Sequence, residues 1–368
     1  MKKLKVIDIF AGVGGLSLGF QKAGFKITAA VEFDKQIAET YKKNHKDVNL
    51  YVEDIKDIAS NKILVKYKAD IIVGGPPCQG FSMAGARIRK NFIEDPRNHL
   101  FKDYFKIVKQ LKPQFFLFEN VKGLLTMEKG KIFKTIMNIF SDESKLGGDK
   151  YYMFYDVFKA SNFGIPQGRE RVFIIGSLNK KLDFKKIINE TKKDIVKEYP
   201  TFFNKTTVWD AISNLNREDN SGKIDNLVPE NQYQTFLSSF SNTTTNHIKP
   251  THNAKILNRI RKISCGENWT KLNENIKSVH SGSYGRLEKE GRAPTITTRF
   301  DTPSGGRFIH PIEDRTLSPR EGARIQSFPD DFEFIGNKSS IYKQIGNAVP
   351  PKLAFFMAMV LKNAWNKL

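Results

Sequence analysis

The residue with the clearest chemical potential is a cysteine that follows a short apolar run. Residues 69–73 read as a short buried strand, and two glycines and two prolines (residues 74–77) end it at once. Cys78 comes next, and with only two cysteines in the chain a disulfide framework does not account for it. Ligands of open α/β sheets bind beyond the carboxyl ends of strands. The rigid turn therefore favours an accessible, nucleophilic thiol over a small buried side chain.

A carboxylate and a row of donors are the next candidates. Glu119 ends the apolar run 115–118, a setting that raises the pKa of a carboxyl group by desolvation and suits a general acid. A helix N-cap is the alternative, but it leaves the apolar run unexplained. Gln167, Arg169 and Arg171 alternate, so an extended segment would present them on one face to an anionic or carbonyl-bearing ligand.

The segment that follows the thiol is a candidate lid. Residues 85–98 show no clear periodicity and include Arg87, Arg89 and Arg97. A mobile cover of this kind excludes water and commits a substrate. An ordinary exposed loop is the alternative.

The first three predicted strands each end in an aromatic or acidic residue. The strand 6–10 ends at Phe10 and is followed by a glycine turn (residues 12–15) and a helix, where backbone N–H groups can hold a carboxylate or phosphate. The glycines are not spaced as G-x-G-x-x-G, so a plain tight turn is an equal alternative. Glu32 stands where a ribose is usually held, and Phe33 can stack on a base. With Asp54 these residues describe an adenosine-like pocket, although each acid alone could cap a helix.

Composition restricts the class of protein. The chain has 368 residues, a net charge of +21 and a pI of about 9.7, which indicates a polyanionic partner such as nucleic acid. No apolar run approaches a membrane span, and the N-terminus lacks the features of a signal peptide, so we expect a cytoplasmic protein. The histidines and cysteines do not cluster with metal-ligand spacing, so we expect no metal site.

The chain changes character after residue 178. Residues 178–300 are rich in Lys, Asn, Ser and Thr, and we expect a second domain of short strands and long loops suited to base-edge and phosphate contacts, or else a decorative insertion. Ser318-Pro319 has the pattern of an N-cap followed by the first helical residue. A final amphipathic helix, residues 352–367, should pack back onto the first domain.

Taken together, these blocks resemble the DNA (cytosine-5) methyltransferases of bacterial restriction–modification systems. The matching blocks occur in the family's order and are residues 10–15, 32–34, 54, 74–82, 95–101, 119–121, 167–171, 320–330 and 346–350. The resemblance implies an α/β fold with a doubly wound mixed sheet, the S-adenosylmethionine-dependent methyltransferase fold, and a smaller, irregular, β-rich recognition domain. It implies a catalytic and cofactor-binding domain at 1–177, a target-recognition domain at 178–315 and a return to the catalytic domain at 316–368.

The resemblance also implies roles for individual residues. The catalytic set is Cys78, Glu119, Arg169 and Arg171, with Arg169 ordering the thiol loop and a phosphate. S-adenosylmethionine would be bound by Phe10, Gly12, Gly14, Leu16, Glu32, Phe33, Asp54, Ile55, Pro76, Leu100, Asn347 and Val349. The residues expected near DNA are Gln79, Ser82, Arg87, Arg89 and Arg97.

The expected chemistry follows from the properties of cytosine. C5 is a poor nucleophile, and addition of a thiolate at C6 makes it enamine-like, so that it can attack a methyl sulfonium. An acid facing N3 and a donor to the O2 carbonyl assist the addition. Because the ring cannot be reached inside a stacked duplex, the base must be flipped out. Cys78, Glu119 and Arg171 fit these three roles, and the resemblance gives S-adenosyl-L-homocysteine as the product.

The implied partner is double-stranded DNA, together with a cognate restriction endonuclease acting on the same site. We expect a monomer, associated with the nucleoid, with no membrane contact. One alternative is a tRNA cytosine-5 methyltransferase, but the long region 178–300 favours duplex DNA. Another is a catalytically inactive DNA-binding relative, which the presence of the thiol, Glu119 and the cofactor acids disfavours.

Overall fold

The computed structural model describes residues 3–77, 100–215, 221–238, 243–274, 276 and 281–368. The chain divides into two compact units. The first comprises Met1–Phe158, Glu170–Glu198 and Leu353–Leu368, and the second comprises Lys159–Arg169 and Tyr199–Lys352. These bounds differ from those of the three segments expected from the sequence, whose division by function stays a prediction.

The first unit is built on a seven-stranded mixed sheet. The strands are β1 (Lys5–Ile9), β2 (Lys26–Val31), β3 (Asn49–Tyr51), β4 (Ile71–Gly74), β5 (Phe115–Val121), β6 (Tyr151–Lys159) and β7 (Glu170–Leu178). Their order in the sheet is β3-β2-β1-β4-β5-β7-β6. Strands β1 to β5 pair in parallel, whereas β7 runs antiparallel to β5. The doubly wound mixed sheet expected from the sequence is thus confirmed.

Helices cover this sheet, and the central strands are apolar because they are buried. In β4 and β5, Ile71, Val73 and Phe116 have no exposed surface. The helices of this part of the chain are α1 (Gly15–Lys22), α2 (Lys35–Asn44), α3 (Ile55–Ser60), α4 (Leu100–Leu111), α5 (Lys131–Ser141), α6 (Glu143–Leu146) and α7 (Phe184–Glu198). Parallel strands that end at one edge place the residues following β1, β2, β3, β4 and β5 at that edge.

The second unit consists of short helices and long irregular segments. Its helices are α8 (Val208–Ile212), α9 (Gln232–Leu237), α10 (Ala254–Arg261), α11 (Pro319–Ile325) and α12 (Lys338–Asn347). The predicted cap is confirmed, because Ser318 and Glu321 form a capping box at the start of α11 with Pro319 at its first position. Helix α13 (Pro351–Trp365) follows and lies almost entirely in the first unit.

The irregular character of this unit was predicted correctly, but its β-rich character was not. In the described part of residues 199–352 the only β pairing is in isolated bridges, such as Ile224 with Thr244. Side chains satisfy backbone carbonyls that strands would otherwise pair. Buried Arg286 donates to the carbonyls of Ile260, Ile263, His310 and Glu313.

Candidate active site

Glu119 lies at the carboxyl edge of the sheet, beside the turn that leads to Cys78. It is the fifth residue of β5 and only 9% exposed. A Cβ atom placed on Gly75 would lie 2.8 Å from Oε2 of Glu119, so a side chain at position 75 would collide with the carboxylate. A larger residue in place of Gly75 would therefore displace the carboxylate of Glu119. Apart from the presence of the glycine, nothing in the amino-acid pattern predicts this contact.

Arg171 holds the other oxygen of the same carboxylate. Its Nε lies 3.0 Å from Oε1 of Glu119, and the two side chains are only 13% and 11% exposed. A hydrogen bond from Nη1 to the carbonyl of Glu170 fixes the guanidinium further. Burial lowers the pKa of Arg171, and the carboxylate of Glu119 opposes that change. The sheet register brings the pair together, because β5 and β7 align Val121 with Arg171.

Asn120 ties the end of β5 to the same turn. Its Nδ2 donates to the carbonyl of Pro76 at 3.1 Å, and its Oδ1 accepts from the backbone N–H of Val121 at 2.8 Å. Asn120 is buried, so both interactions are shielded from water. The side chain thus fixes the backbone two residues before Cys78, a role that sequence reasoning did not assign.

Each of the three alternating donors is engaged by other groups of the protein. Arg169 belongs to the second unit, where its Nη1 donates to the carbonyls of Ile296 and Gly346. Gln167 of the same unit donates to Gln326. Arg171 belongs to the first unit and pairs with Glu119. Gln167 and Arg169 meet at one residue, because the N–H of Ile296 donates to Oε1 of Gln167 and its carbonyl accepts from Arg169. These contacts favour a supporting role for Arg169, and the shared face of the three donors stays a prediction.

The turn after β1 has three residues in the left-handed backbone conformation. Phe10, Gly12 and Gly14 have φ angles of 60°, 56° and 91°, all in the left-handed region. A positive φ is unusual for phenylalanine, and such strain is concentrated at functional sites. Gly14 is the N-cap of α1, and its conformation turns the chain into the helix whose second residue is the buried Leu16. The start of a helix is a place where backbone N–H groups can hold an anionic group, although in α1 the N–H of Ser17 is already engaged by Asp8.

Glu32 supports this turn from the neighbouring strand. Its Oε2 accepts from the N–H of Gly12 at 2.9 Å, and its Oε1 accepts from the N–H of Asp34 at 2.8 Å. Burial raises the pKa of Glu32 above its ordinary value, although these backbone hydrogen bonds oppose the increase. The adjacent ring of Phe33 is 71% exposed. An aromatic face open beside a carboxylate is the arrangement expected for an adenosine.

The remaining predicted cofactor residues occupy varied positions. Asp54 caps α3 by accepting from the N–H of Lys56 at 2.9 Å, so it has the helix-capping role that was the alternative to cofactor binding. Ile55 is buried in the core, Pro76 is buried in the turn after β4, and Leu100 packs half-buried against the core.

Two further candidates, Asn347 and Val349, belong to the second unit. Asn347 is the last residue of α12 and is exposed, whereas Val349 is buried. The segment is fixed by buried side chains of its own unit, because Gln326 donates to the carbonyl of Ile345 and Arg169 to that of Gly346.

The thiol and the candidate DNA contacts lie outside the described residues. These are Cys78, Gln79, Ser82, Arg87, Arg89 and Arg97, together with the candidate lid. Within the described ranges, no group of three or more histidine, cysteine, aspartate or glutamate side chains could hold a metal ion. None of the described helices is both long and apolar enough to cross a bilayer.

Comparison with known proteins agrees with this geometry. The sequence model of the C-5 cytosine-specific DNA methylase family matches residues 4–363. The type II methyltransferase M.DdeI of Desulfomicrobium norvegicum is 34% identical over 380 residues, which cover 96% of this chain and 88% of that protein. The type II methyltransferase M1.HphI of Haemophilus parahaemolyticus is 33% identical and covers 99% of this chain and 88% of that one.

Solved structures show the same fold. A DNA modification methyltransferase encoded within a prophage (E. coli) matches with a TM-score of 0.76 and 28% identity, over 99% of this chain and 100% of that one. The S. pombe Dnmt2 methyltransferase has a TM-score of 0.61, covers 99% of this chain and 100% of its own, and at 14% identity is similar in fold alone. The chain thus belongs to the C-5 cytosine-specific DNA methylase family and is a DNA cytosine-5 methyltransferase.

Proposed function

We propose that the reaction proceeds through Cys78, with Glu119 and Arg171 acting on the same cytosine ring. The observation that supports this assignment is the position of the Glu119 carboxylate. One of its oxygens faces Gly75, three residues before Cys78, and the other is held by Arg171. The chain thus holds an acid and a forked donor beside the turn that leads to its nucleophile.

Each of the three side chains has a defined part in the addition. The Cys78 thiolate forms a bond to C6, while Glu119 delivers a proton or a hydrogen bond to N3 as electron density moves into the ring. Arg171 stabilises the negative charge at the O2 oxygen, and its buried position strengthens that interaction. Once C5 carries the methyl group that the bound cofactor would supply, loss of the C5 proton and departure of the sulfur from C6 restore the aromatic ring.

S-adenosylmethionine fits the residues at the ends of β1 and β2. The backbone of Gly12, Gly14 and Leu16 would meet the methionine end, Glu32 would hold the ribose hydroxyls, and Phe33 offers an open ring face to the adenine. When bound, the cofactor supplies an electrophilic methyl group. The other residues proposed to contact it are Phe10, Leu16, Asp54, Ile55, Pro76, Leu100, Asn347 and Val349.

The substrate we propose is a cytosine flipped from double-stranded DNA. The net charge of +21 favours a polyanion, and residues 178–315 would recognise the target sequence. Gln79, Ser82, Arg87, Arg89 and Arg97 would contact the DNA, and Arg169 would order the thiol loop and a phosphate. A cognate endonuclease cutting the same site, a monomeric state and association with the nucleoid complete the proposal.

Glu119→Gln tests the assignment of the acid. The amide keeps the shape of the side chain but cannot deliver the proton to N3, so kcat for methyl transfer from labelled S-adenosylmethionine into unmethylated duplex DNA should fall by roughly 100-fold or more. Cofactor affinity, measured by calorimetry, should stay within about twofold.

The matched control is Glu170→Gln. Glu170 is the residue before Arg171, and its side chain pairs with Lys122 at the surface. This variant should retain full activity. Wild-type turnover in Glu119→Gln would remove Glu119 from the mechanism.

A further inference from the structure

A chain of buried polar side chains lies behind the glycine turn of the first unit. Asp8 of β1 accepts from the hydroxyl of Ser17 at 2.6 Å, and the same hydroxyl lies 2.8 Å from that of Tyr41. All three side chains are fully buried. A hydrogen-bonded chain of this kind is strongly directional because water cannot replace any of its partners.

Asp8 acts as the cap that α1 lacks. Gly14, the N-cap residue, has no side chain, and the helix shows no side-chain cap of its own. Instead, Oδ2 of Asp8 accepts from the N–H of Ser17 at 3.2 Å as well as from its hydroxyl. The first turn of the helix is therefore anchored to the strand beneath it, and the glycine turn between them is held at both ends.

The rings of Tyr41 and His45 pack directly against Gly14. A Cβ atom on Gly14 would overlap Nε2 of His45 and would lie 2.9 Å from Cε2 of Tyr41. The two rings contact each other with centroids 4.4 Å apart, and Nδ1 of His45 is hydrogen-bonded to Gln21 at 2.9 Å. The position of the glycine turn is thus limited by Tyr41, which lies in α2, and by His45, the C-cap of that helix. Sequence reasoning singled out neither residue.

We propose that Tyr41 and His45, linked through Ser17 to Asp8, are positioning residues for the carboxylate end of S-adenosylmethionine. This inference rests on the proposed cofactor site at the same turn. Glycine has no side chain with which to hold its own position, so close contact with these two rings limits where the turn, and with it the start of α1, can lie. Hydrogen bonds weaken steeply with misalignment, so a small shift of the turn lowers cofactor affinity although neither ring touches the cofactor.

Tyr41→Phe tests this positioning role with a minimal change, because it removes only the hydroxyl that is hydrogen-bonded to Ser17. Tyr151→Phe is the matched control. Tyr151 is equally buried and its hydroxyl donates to the carbonyl of Pro113 at 2.8 Å, near the start of β5 and away from the carboxyl edge. Both variants lose one buried hydrogen bond, so both should lose similar thermal stability.

The two variants should differ in cofactor binding. We expect Tyr41→Phe to weaken the binding of S-adenosylmethionine and S-adenosylhomocysteine about five- to tenfold by calorimetry, and to raise KM for the cofactor while kcat at saturation changes less than twofold. Tyr151→Phe should bind both within twofold of wild type. If the two variants bind the cofactor equally well and lose Tm equally, the hydrogen bonds among Asp8, Ser17 and Tyr41 serve only the stability of the fold.

Ser17→Ala provides a second route to the same test. It cuts the link between Asp8 and Tyr41 from the other side, and it should reproduce the loss of affinity even if Tyr41→Phe fails to fold. Wild-type affinity in folded Ser17→Ala would overturn the inference. Failure of the proposed function itself is distinguishable, because the wild-type chain would then bind neither S-adenosylmethionine nor its product.

Discussion

At the scale of single residues, the acid at the end of an apolar strand was the most informative signal. Glu119 could be singled out because its apolar run is unusual before a charged residue, and the structure places its carboxylate between Gly75 and Arg171. The hydrogen bonds that link the side chains of Asp8, Ser17 and Tyr41 could not be predicted. These residues are far apart in sequence and meet only when α1 and α2 pack on β1 and β2. Their types alone are those of an ordinary strand and helix.

The pH dependence of stability tests whether the pKa of the buried Asp8 carboxyl group is raised. Burial raises the pKa of Asp8 to about 7 from an ordinary value of 3.8, so between about pH 4 and pH 7 the folded state keeps a proton that the unfolded state releases. The contribution of Asp8 to the free energy of unfolding therefore falls as the pH rises through this window.

Asp8→Asn cannot titrate but keeps an acceptor for Ser17. The free energy of unfolding of this variant, measured with urea at pH 4 and pH 7, should rise relative to that of wild type as the pH increases. Parallel stability curves for the two proteins over this range would mean that Asp8 titrates normally in the folded state.

At the scale of elements, the fold of the first unit was predictable and that of the second was not. Strand-like runs followed by glycine, acid or aromatic residues placed the carboxyl edge of the sheet correctly. In residues 199–352, polar side chains supply hydrogen bonds that no periodicity reveals. Arg324, for example, is fully buried and binds both carboxylate oxygens of Asp330, at 2.7 and 2.9 Å.

Helices α1 and α13 contact each other closely at Gly19. We therefore expect alanine at this position to destabilise the protein, although alanine is the better helix former. Gly19 lies within α1, where alanine is usually more favourable by roughly 1 kcal/mol. A Cβ at this position would lie 2.5 Å from the backbone nitrogen of Phe355 in α13. Gly19→Ala should therefore destabilise the protein by about 1–3 kcal/mol in urea unfolding. A gain in stability would show that the two helices are not in close contact.

At the scale of the whole molecule, charge is the property that the sequence reveals most directly. The excess of 60 basic over 39 acidic side chains is a sum over the chain and needs no fold to be read. The division into compact units does need one, because residues 159–169 and 353–368 each belong with a distant part of the chain. Sequence composition cannot reveal such exchanges.

The charge predicts a steep salt dependence of DNA binding. If basic side chains neutralise several phosphates, the logarithm of the association constant should fall linearly with the logarithm of salt concentration. We expect at least a tenfold loss of affinity for a duplex between about 50 and 200 mM salt, measured by fluorescence anisotropy. A flat dependence would mean that the +21 charge serves no contact with DNA.

The central claim is that Cys78 adds to C6 of the target cytosine, and a mechanism-based trap tests it most directly. Duplex DNA in which cytosine is replaced by 5-fluorocytosine should be incubated with the enzyme and S-adenosylmethionine, because fluorine cannot leave C5 as a proton does. The wild type should form a covalent protein–DNA adduct that survives denaturing electrophoresis, and Cys78→Ser should form none. Absence of an adduct on DNA whose unmodified form is methylated, or an undiminished adduct with Cys78→Ser, would contradict the central claim.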